Sequence, residues 1–278
     1  MTTSQPMAFD AEKESLVLDA VARFVEREIK PVAQRLEHAD EWPVGIVAGM
    51  REMGLFGCII REEYGGLGLS ASTYAKVVER IARVWMSVSG IINSHLIMAA
   101  CVQRNGTEAQ RQRFLPLFAR GELRGGLALT EPDCGTDLQA VRTVARRDGD
   151  HYVVKGHKIW TSLAHKAKVG VLVARTDPDQ PKHKGLSEFL VDMDMPGIRI
   201  RPIIDMSAHE NEYNEVFLED VRIPADRLLG REGDGWALCT TQLQTERVAL
   251  SRPGAIWGHG PSARELIDHT SAATKPSE

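Results

Sequence analysis

Residues 142–175 read RTVARRDGDHYVVKGHKIWTSLAHKAKVGVLVAR. The runs 142–147, 151–155 and 169–175 are short and rich in Val and Tyr, as half-buried strands are. Asp148-Gly149-Asp150 supplies the turn between the first two. The same texture continues through 187–193, 198–203 and 213–218, broken by the polar loop 177–185 and by Pro196-Gly197. No helical period of useful length falls between these runs, so the sheet is expected to be antiparallel.

Upstream, the period changes to 3.6. Leu16, Val17, Ala20, Val21, Phe24, Val25 and Ile29 form a broad apolar stripe behind a capping Asp10, and the stripe weakens at Pro31. Further helices are expected over 44–53, 72–88 and 90–104, and Thr107 with Gln110 forms a capping box for another. The glycines of REEYGGLGLS, 61–70, do not have the spacing of a phosphate loop and follow no strand; Ser70 is instead read as a helix cap. Downstream, Gly233-Asp234-Gly235 turns into a helix over 236–251, followed by Pro253, several glycines and a short helix over 263–269. The expected class is therefore α+β: an N-terminal helical bundle (1–122), a middle antiparallel β domain (123–225) and a truncated C-terminal helical region (226–278).

Composition narrows the function. Of 278 residues, 43% are hydrophobic and 26% charged, with a net charge of −4, which gives no reason to expect a nucleic-acid-binding surface. No apolar run is expected to reach membrane-spanning length, and the N-terminal MTTSQPMAFDAEKES lacks a signal or transit pattern. Cys58, Cys101, Cys134 and Cys239 are spaced irregularly and are expected to be reduced thiols in a cytoplasmic protein. His209-Glu210 and His259-Gly260 lack ligand spacing, so no metal is expected.

Two segments carry the chemistry. Leu127-Ala128-Leu129-Thr130-Glu131-Pro132-Asp133-Cys134-Gly135-Thr136-Asp137 resembles the first acyl-CoA dehydrogenase signature, and Lys155-Gly156-His157-Lys158-Ile159-Trp160-Thr161-Ser162 resembles the second. Asn214 to Pro224, then Leu228-Leu229-Gly230 and Gly233-x-Gly235-Trp236, are similar to that family's exit from its β domain. The resemblance runs from Asp10 to about His269. It implies FAD as cofactor, bound by Leu127, Leu129, Thr130, Thr136, Trp160 and Ser162, and an acyl-CoA substrate touched by Thr136 and Arg247. Small hydroxyls suit a ring that gains negative charge on reduction, because they donate hydrogen bonds without adding charge of their own. Taken without the resemblance, Thr130 and Thr136 read as turn residues and Trp160 as core. Thr136 stands where Ser is usual, and Ser162 where Thr is common; both keep the hydroxyl.

Trp236, Cys239, Leu243, Glu246 and Leu250 fall at steps of three and four, placing Glu246 on the apolar face of its helix. A carboxylate there is either ion-paired or held in an apolar pocket that raises its pKa, and the second case suits a base for an α-proton. Glu246-Arg247 matches the position used by a minority of the family, resembling isovaleryl-CoA and long-chain enzymes, so Glu246 is the candidate catalytic base. The resemblance also implies an electron-transferring flavoprotein as electron acceptor. It further implies a homo-oligomer or a complementing subunit, because the family's remaining C-terminal helices are not in this sequence. Two alternatives stay open: a flavin-dependent monooxygenase or oxidase on the same scaffold, and a non-catalytic subunit.

Overall fold

The computed structural model describes residues 11–250 except Ser207 and Asn211; for residues 11–13 and 245–250 it describes the backbone alone. Six helices come first: α1 (Ala11–Phe24, continued by a π-helical turn Val25–Ile29), α2 (Ala33–His38), α3 (Val44–Glu52), α4 (Ala71–Ala82), α5 (Met86–Asn105) and α6 (Glu108–Ala119). The sheet follows with β1 (Gly125–Ala128), β2 (Val144–Asp148), β3 (His151–Ser162), β4 (Val169–Arg175), β5 (Leu186–Asp192), β6 (Ile198–Ile203), β7 (Tyr213–Pro224) and β8 (Leu228–Leu229); α7 (Gly235–Leu250) closes the described chain. Helices, sheet and final helix thus occur in the order expected for an α+β chain. The proposed Asp10 cap and everything after Leu250, including the helix expected at 263–269, lie outside the described residues.

The caps form as read. Ser70 Oγ accepts from the Thr73 amide at 3.1 Å, and Thr107 and Gln110 satisfy each other's backbone donors in a capping box. Such a cap contributes about 1 kcal/mol to its helix. The helix expected over 72–88 ends earlier, at Ala82. Trp85 is extended (φ −153°, ψ 102°), and its indole N–H donates to Glu37, so a contact with a distant helix breaks the run. Leu16, expected on the buried stripe, is 62% exposed, whereas Val21, Val25 and Ile29 are buried.

The sheet runs β6-β7-β3-β2-β4-β5-β8, with β1 beside β4. Most pairs are antiparallel, but β1 runs parallel to β4, and β2 meets β4 in parallel at Val144–Arg175. The expectation of a purely antiparallel sheet is corrected there. The β2–β3 hairpin lies between β1 and β4 in the chain, so β1 and β4 are joined by a long crossover and can point the same way. Gly125 is needed at this edge: a Cβ would lie 1.9 Å from Met98 Sδ of α5, which packs directly on β1.

α5 is the central helix. It is 20 residues long and apolar enough to cross a membrane, which corrects the expectation that no run reaches that length; most of it is buried in the protein core. His95, 1% exposed, sits in the middle of it. Its Nε2 lies 3.2 Å from the carbonyl oxygens of both Phe56 and Phe118, and both Phe rings meet it edge-on. Burial lowers its pKa to about 4, so the ring is a neutral donor tying α5 to α6 and to the turn at Leu55–Gly57. All four cysteines are buried and outside disulfides.

Candidate active site

Strand β3 does not run straight through its second motif. Its pairing with β7 slips between Lys158 and Thr161, and Trp160 takes a left-handed conformation at φ 60°. A bulge of this kind re-aims a side chain. Trp160 is 54% exposed and meets Tyr213 edge-on at 5.8 Å. It is therefore not a core residue. Ser162 ends the same strand.

Opposite the bulge, the chain leaving β1 makes a tight turn. The amide of Glu131 donates to the Cys134 carbonyl at 2.8 Å and the Cys134 amide returns to Glu131 at 3.1 Å. The Ile159 amide then donates to the Thr130 carbonyl at 2.9 Å, joining turn to bulge. Between them opens a cavity of about 370 Å³, lined by Leu127, Leu129, Thr130, Gly135, Thr136, Leu138, Ile159, Trp160 and Ser162, by Asn93, Ser94 and Ile97 of α5, and by Leu243 of α7. All six residues named from the sequence as cofactor contacts thus line one cavity. Glu246 and Arg247 belong to α7 by backbone, but their side chains lie outside the described residues.

The turn is anchored from behind by a buried ion pair. Lys158, fully buried, donates from Nζ to Glu131 Oε1 at 2.8 Å and to the Leu129 carbonyl at 3.0 Å. Glu131 also accepts from the backbone amides of Arg142 at 2.7 Å and Thr143 at 2.9 Å. Burial opposes ionisation of Glu131, yet the Lys158 ammonium and these donors hold its carboxyl below the ordinary value; burial likewise pulls Lys158 down against the pull of Glu131. Both carboxylate oxygens of Glu131 are hydrogen-bonded and Lys158 bridges side chain and backbone, so the pair is a clamp that sets the backbone on which Leu129, Thr130 and Thr136 sit. Burial raises the Cys134 thiol, keeping it protonated and unreactive beside this clamp.

A second cavity of about 510 Å³ adjoins the first, sharing Asn93 and Ile97. Its walls are mainly apolar, from Ile59, Leu69, Tyr74 and Ala75 on one side and Leu96 and Ala100 on the other, with Gln244 of α7 at its edge. Asn93 stands between the two spaces. Its Oδ1 accepts from Tyr74 OH at 2.8 Å, which leaves its amide N–H groups as donors. Asn93 and Ser94 were not among the residues picked from sequence. Their signal is weak but present: with the adjacent His95 they form a polar run on a helix that is otherwise apolar over 91–102.

Residues 11–122 match the acyl-CoA dehydrogenase N-terminal domain and residues 126–221 match the acyl-CoA dehydrogenase middle domain, together about three quarters of the chain. The chain belongs to the acyl-CoA dehydrogenase family. It is 39% identical over 209 residues to acyl-CoA dehydrogenase FadE29 of Mycobacterium tuberculosis, covering 75% of this chain and 53% of that one. It is 32% identical over 248 residues to a short-chain-specific acyl-CoA dehydrogenase of Clostridium acetobutylicum, covering 88% and 65%. Among solved structures, a glutaryl-CoA dehydrogenase from Mycobacterium smegmatis in complex with FADH2 superposes with a TM-score of 0.80 at 26% identity, covering 97% of this chain and 68% of that one. The chain spans about half to two thirds of the length of these curated relatives.

Proposed function

We propose that this chain binds FAD in the cavity between the β3 bulge and the Glu131 turn and takes part in α,β-dehydrogenation of an acyl-CoA. One observation carries the reading: Leu127, Leu129, Thr130, Thr136, Trp160 and Ser162, drawn from two separate motifs, line a single cavity. The donor set fits a flavin ring. Thr130, Thr136 and Ser162 offer neutral hydroxyl donors, and Trp160 presents an exposed aromatic face held out by the bulge. Bound there, FAD supplies the acceptor for hydride leaving the β-carbon of the substrate.

The chain's own residues do the rest. Leu127, Leu129 and Trp160 exclude water from one side of the ring. The acyl group occupies the apolar cavity between α4 and α5, which opens onto the ring cavity at Asn93 and Ile97. Asn93 offers a donor where the two meet, and Thr136, with Arg247, contacts the CoA part. Glu246 of α7 takes the α-proton onto its carboxylate. An electron-transferring flavoprotein as acceptor, assembly as a homo-oligomer or with a complementing subunit, and a cytoplasmic location complete the reading; they rest on family likeness and on four thiols outside disulfides.

The test is anaerobic titration of the FAD-loaded protein with short, medium and branched acyl-CoA thioesters. At least one is expected to bleach the flavin absorbance. If every thioester leaves the flavin spectrum unchanged while an external reductase still reduces it, the monooxygenase reading on this scaffold replaces the present one.

A further inference from the structure

Glu188 lies in the middle of β5, a strand whose residues Leu186 to Val191 are all buried, and is itself 0% exposed. Its Oε2 accepts from Gln242 Nε2 of α7 at 2.7 Å and from Cys101 Sγ of α5 at 3.5 Å. Gln242, 5% exposed, also donates from Nε2 to Cys101 Sγ at 2.5 Å. Two oxygens of this cluster have no partner among the described residues: Glu188 Oε1 and Gln242 Oε1. Among the described residues no Lys or Arg is hydrogen-bonded or ion-paired to Glu188; the nearby charged group is Arg104 of α5, which lines a small cavity with Cys101 and Gln242. α5 contributes the Cys101 thiol, α7 the neutral Gln242, and the paired strands β4 and β8 place Val173 and Leu229 beside Glu188.

An ionised carboxylate in such a place is costly, since only neutral donors face it and one oxygen faces none. Two buried acceptors in one hydrogen-bonded pair also lack a donor between them. A single proton on Glu188 Oε1 removes both difficulties, because it turns one orphan acceptor into the donor that the other requires.

We propose that Glu188 is held as a neutral carboxylic acid, paired with the Gln242 amide by two opposed hydrogen bonds, and that this acid–amide clamp positions α7 against β5. Leu243 and Gln244, the next two residues, line the flavin and acyl cavities, and Glu246 follows Gln242 by one helical turn. Glu188 is thus a positioning residue, acting through Gln242. The clamp itself is independent of the proposed reaction; its consequence for the cavities rests on the flavin and acyl-CoA reading. Burial pushes the Glu188 carboxyl up to about 8, against the pull of its bonds from Cys101 and Gln242, and burial raises the Cys101 thiol well above its usual value, so no thiolate competes.

The sign of the pH effect follows. A carboxyl whose folded value lies above its unfolded value stabilises the fold fully below the unfolded value, and that stability is lost as pH rises to the folded value. The window therefore runs from the ordinary 4.5 to about 8, with no further change above it. The experiment measures thermal midpoints of the purified protein, Glu188→Gln and Glu188→Ala across this window, with FAD affinity followed through the same window and on to pH values above 8. The wild type is expected to lose several degrees relative to Glu188→Gln as pH rises, because Gln keeps both hydrogen bonds and cannot ionise. Glu188→Ala is expected to be less stable throughout; should it fail to fold, Glu188→Gln still decides. FAD affinity of the wild type is expected to weaken as pH passes 8 while that of Glu188→Gln holds. Parallel stability profiles for wild type and Glu188→Gln overturn the neutral acid. Divergent stability with parallel FAD affinities overturns the positioning role. Absence of FAD binding in every variant counts against the flavin reading alone, and the stability comparison still judges the clamp.

Discussion

Replacing Glu246 by Gln is expected to slow reduction of bound flavin by acyl-CoA by roughly 10²–10⁴-fold, the usual cost of losing one positioned proton transfer. The expectation rests on the placement of α7. Trp236, Cys239 and Leu243 of this helix pack with Leu129, Leu138 and Val173 of the β domain, and Leu243 reaches the ring cavity. Steps of three and four carry the same face on to Glu246. Gln is nearly isosteric and still polar, so binding of the thioester should survive while proton removal does not. A substrate-induced shift of the flavin spectrum, compared with the rate of bleaching in single-turnover mixing, separates the two. A near-normal bleaching rate in Glu246→Gln assigns the base to another group.

The second large effect is expected at Lys158. Lys158→Met removes the only cation paired with the buried Glu131 in the described residues and should destabilise the protein by about 3–5 kcal/mol, as breaking one side of a buried pair does. The turn that carries Leu129 and Thr130 loses its anchor at the same time, because Nζ also holds the Leu129 carbonyl at 3.0 Å. The double variant Lys158→Met, Glu131→Gln removes the stranded charge and should recover part of that loss. Denaturant unfolding of the three proteins is the measurement. A loss below about 1 kcal/mol for the single variant, in the range of exposed pairs, would show that the clamp is not what holds the turn.

Several features were legible in sequence because their causes are local. The Asp148-Gly149-Asp150 turn, the Ser70 cap and the Thr107–Gln110 box each depend on residues within four positions of one another. The break between α4 and α5 was not legible. Nothing in Arg83-Val84-Trp85 is a helix breaker, and the extended Trp85 is fixed by Glu37, 48 residues away. The parallel pairing of β1 with β4 was missed for a related reason: a four-residue strand beginning Gly-Gly gives almost no periodic signal, and its register depends on partners at 169–172.

The site divides along the same line. The two motifs supplied the residues that meet across the cavity, but the role of Lys158 and Glu131 as the clamp behind them emerged only once their partners were visible. Asn93, Ser94 and Ile97 reach the cavity because α5 packs on β1, a contact that no short-range pattern encodes. Trp160 shows the limit in the other direction. A large aromatic in a strand is read as core by default, and only the slip in register between β3 and β7 explains why it stands 54% exposed at the cavity wall.

Flavin binding by the purified chain is the most direct test of the assigned cavity. Titration with FAD, followed by quenching of flavin and tryptophan fluorescence, is expected to show one saturable site, with Trp160→Ala weakening it by loss of a stacking surface worth roughly 0.5–1.5 kcal/mol beyond its buried area. Equal affinity in Trp160→Ala, or no saturable binding of FAD by the folded wild type, would contradict a flavin site between the β3 bulge and the Glu131 turn.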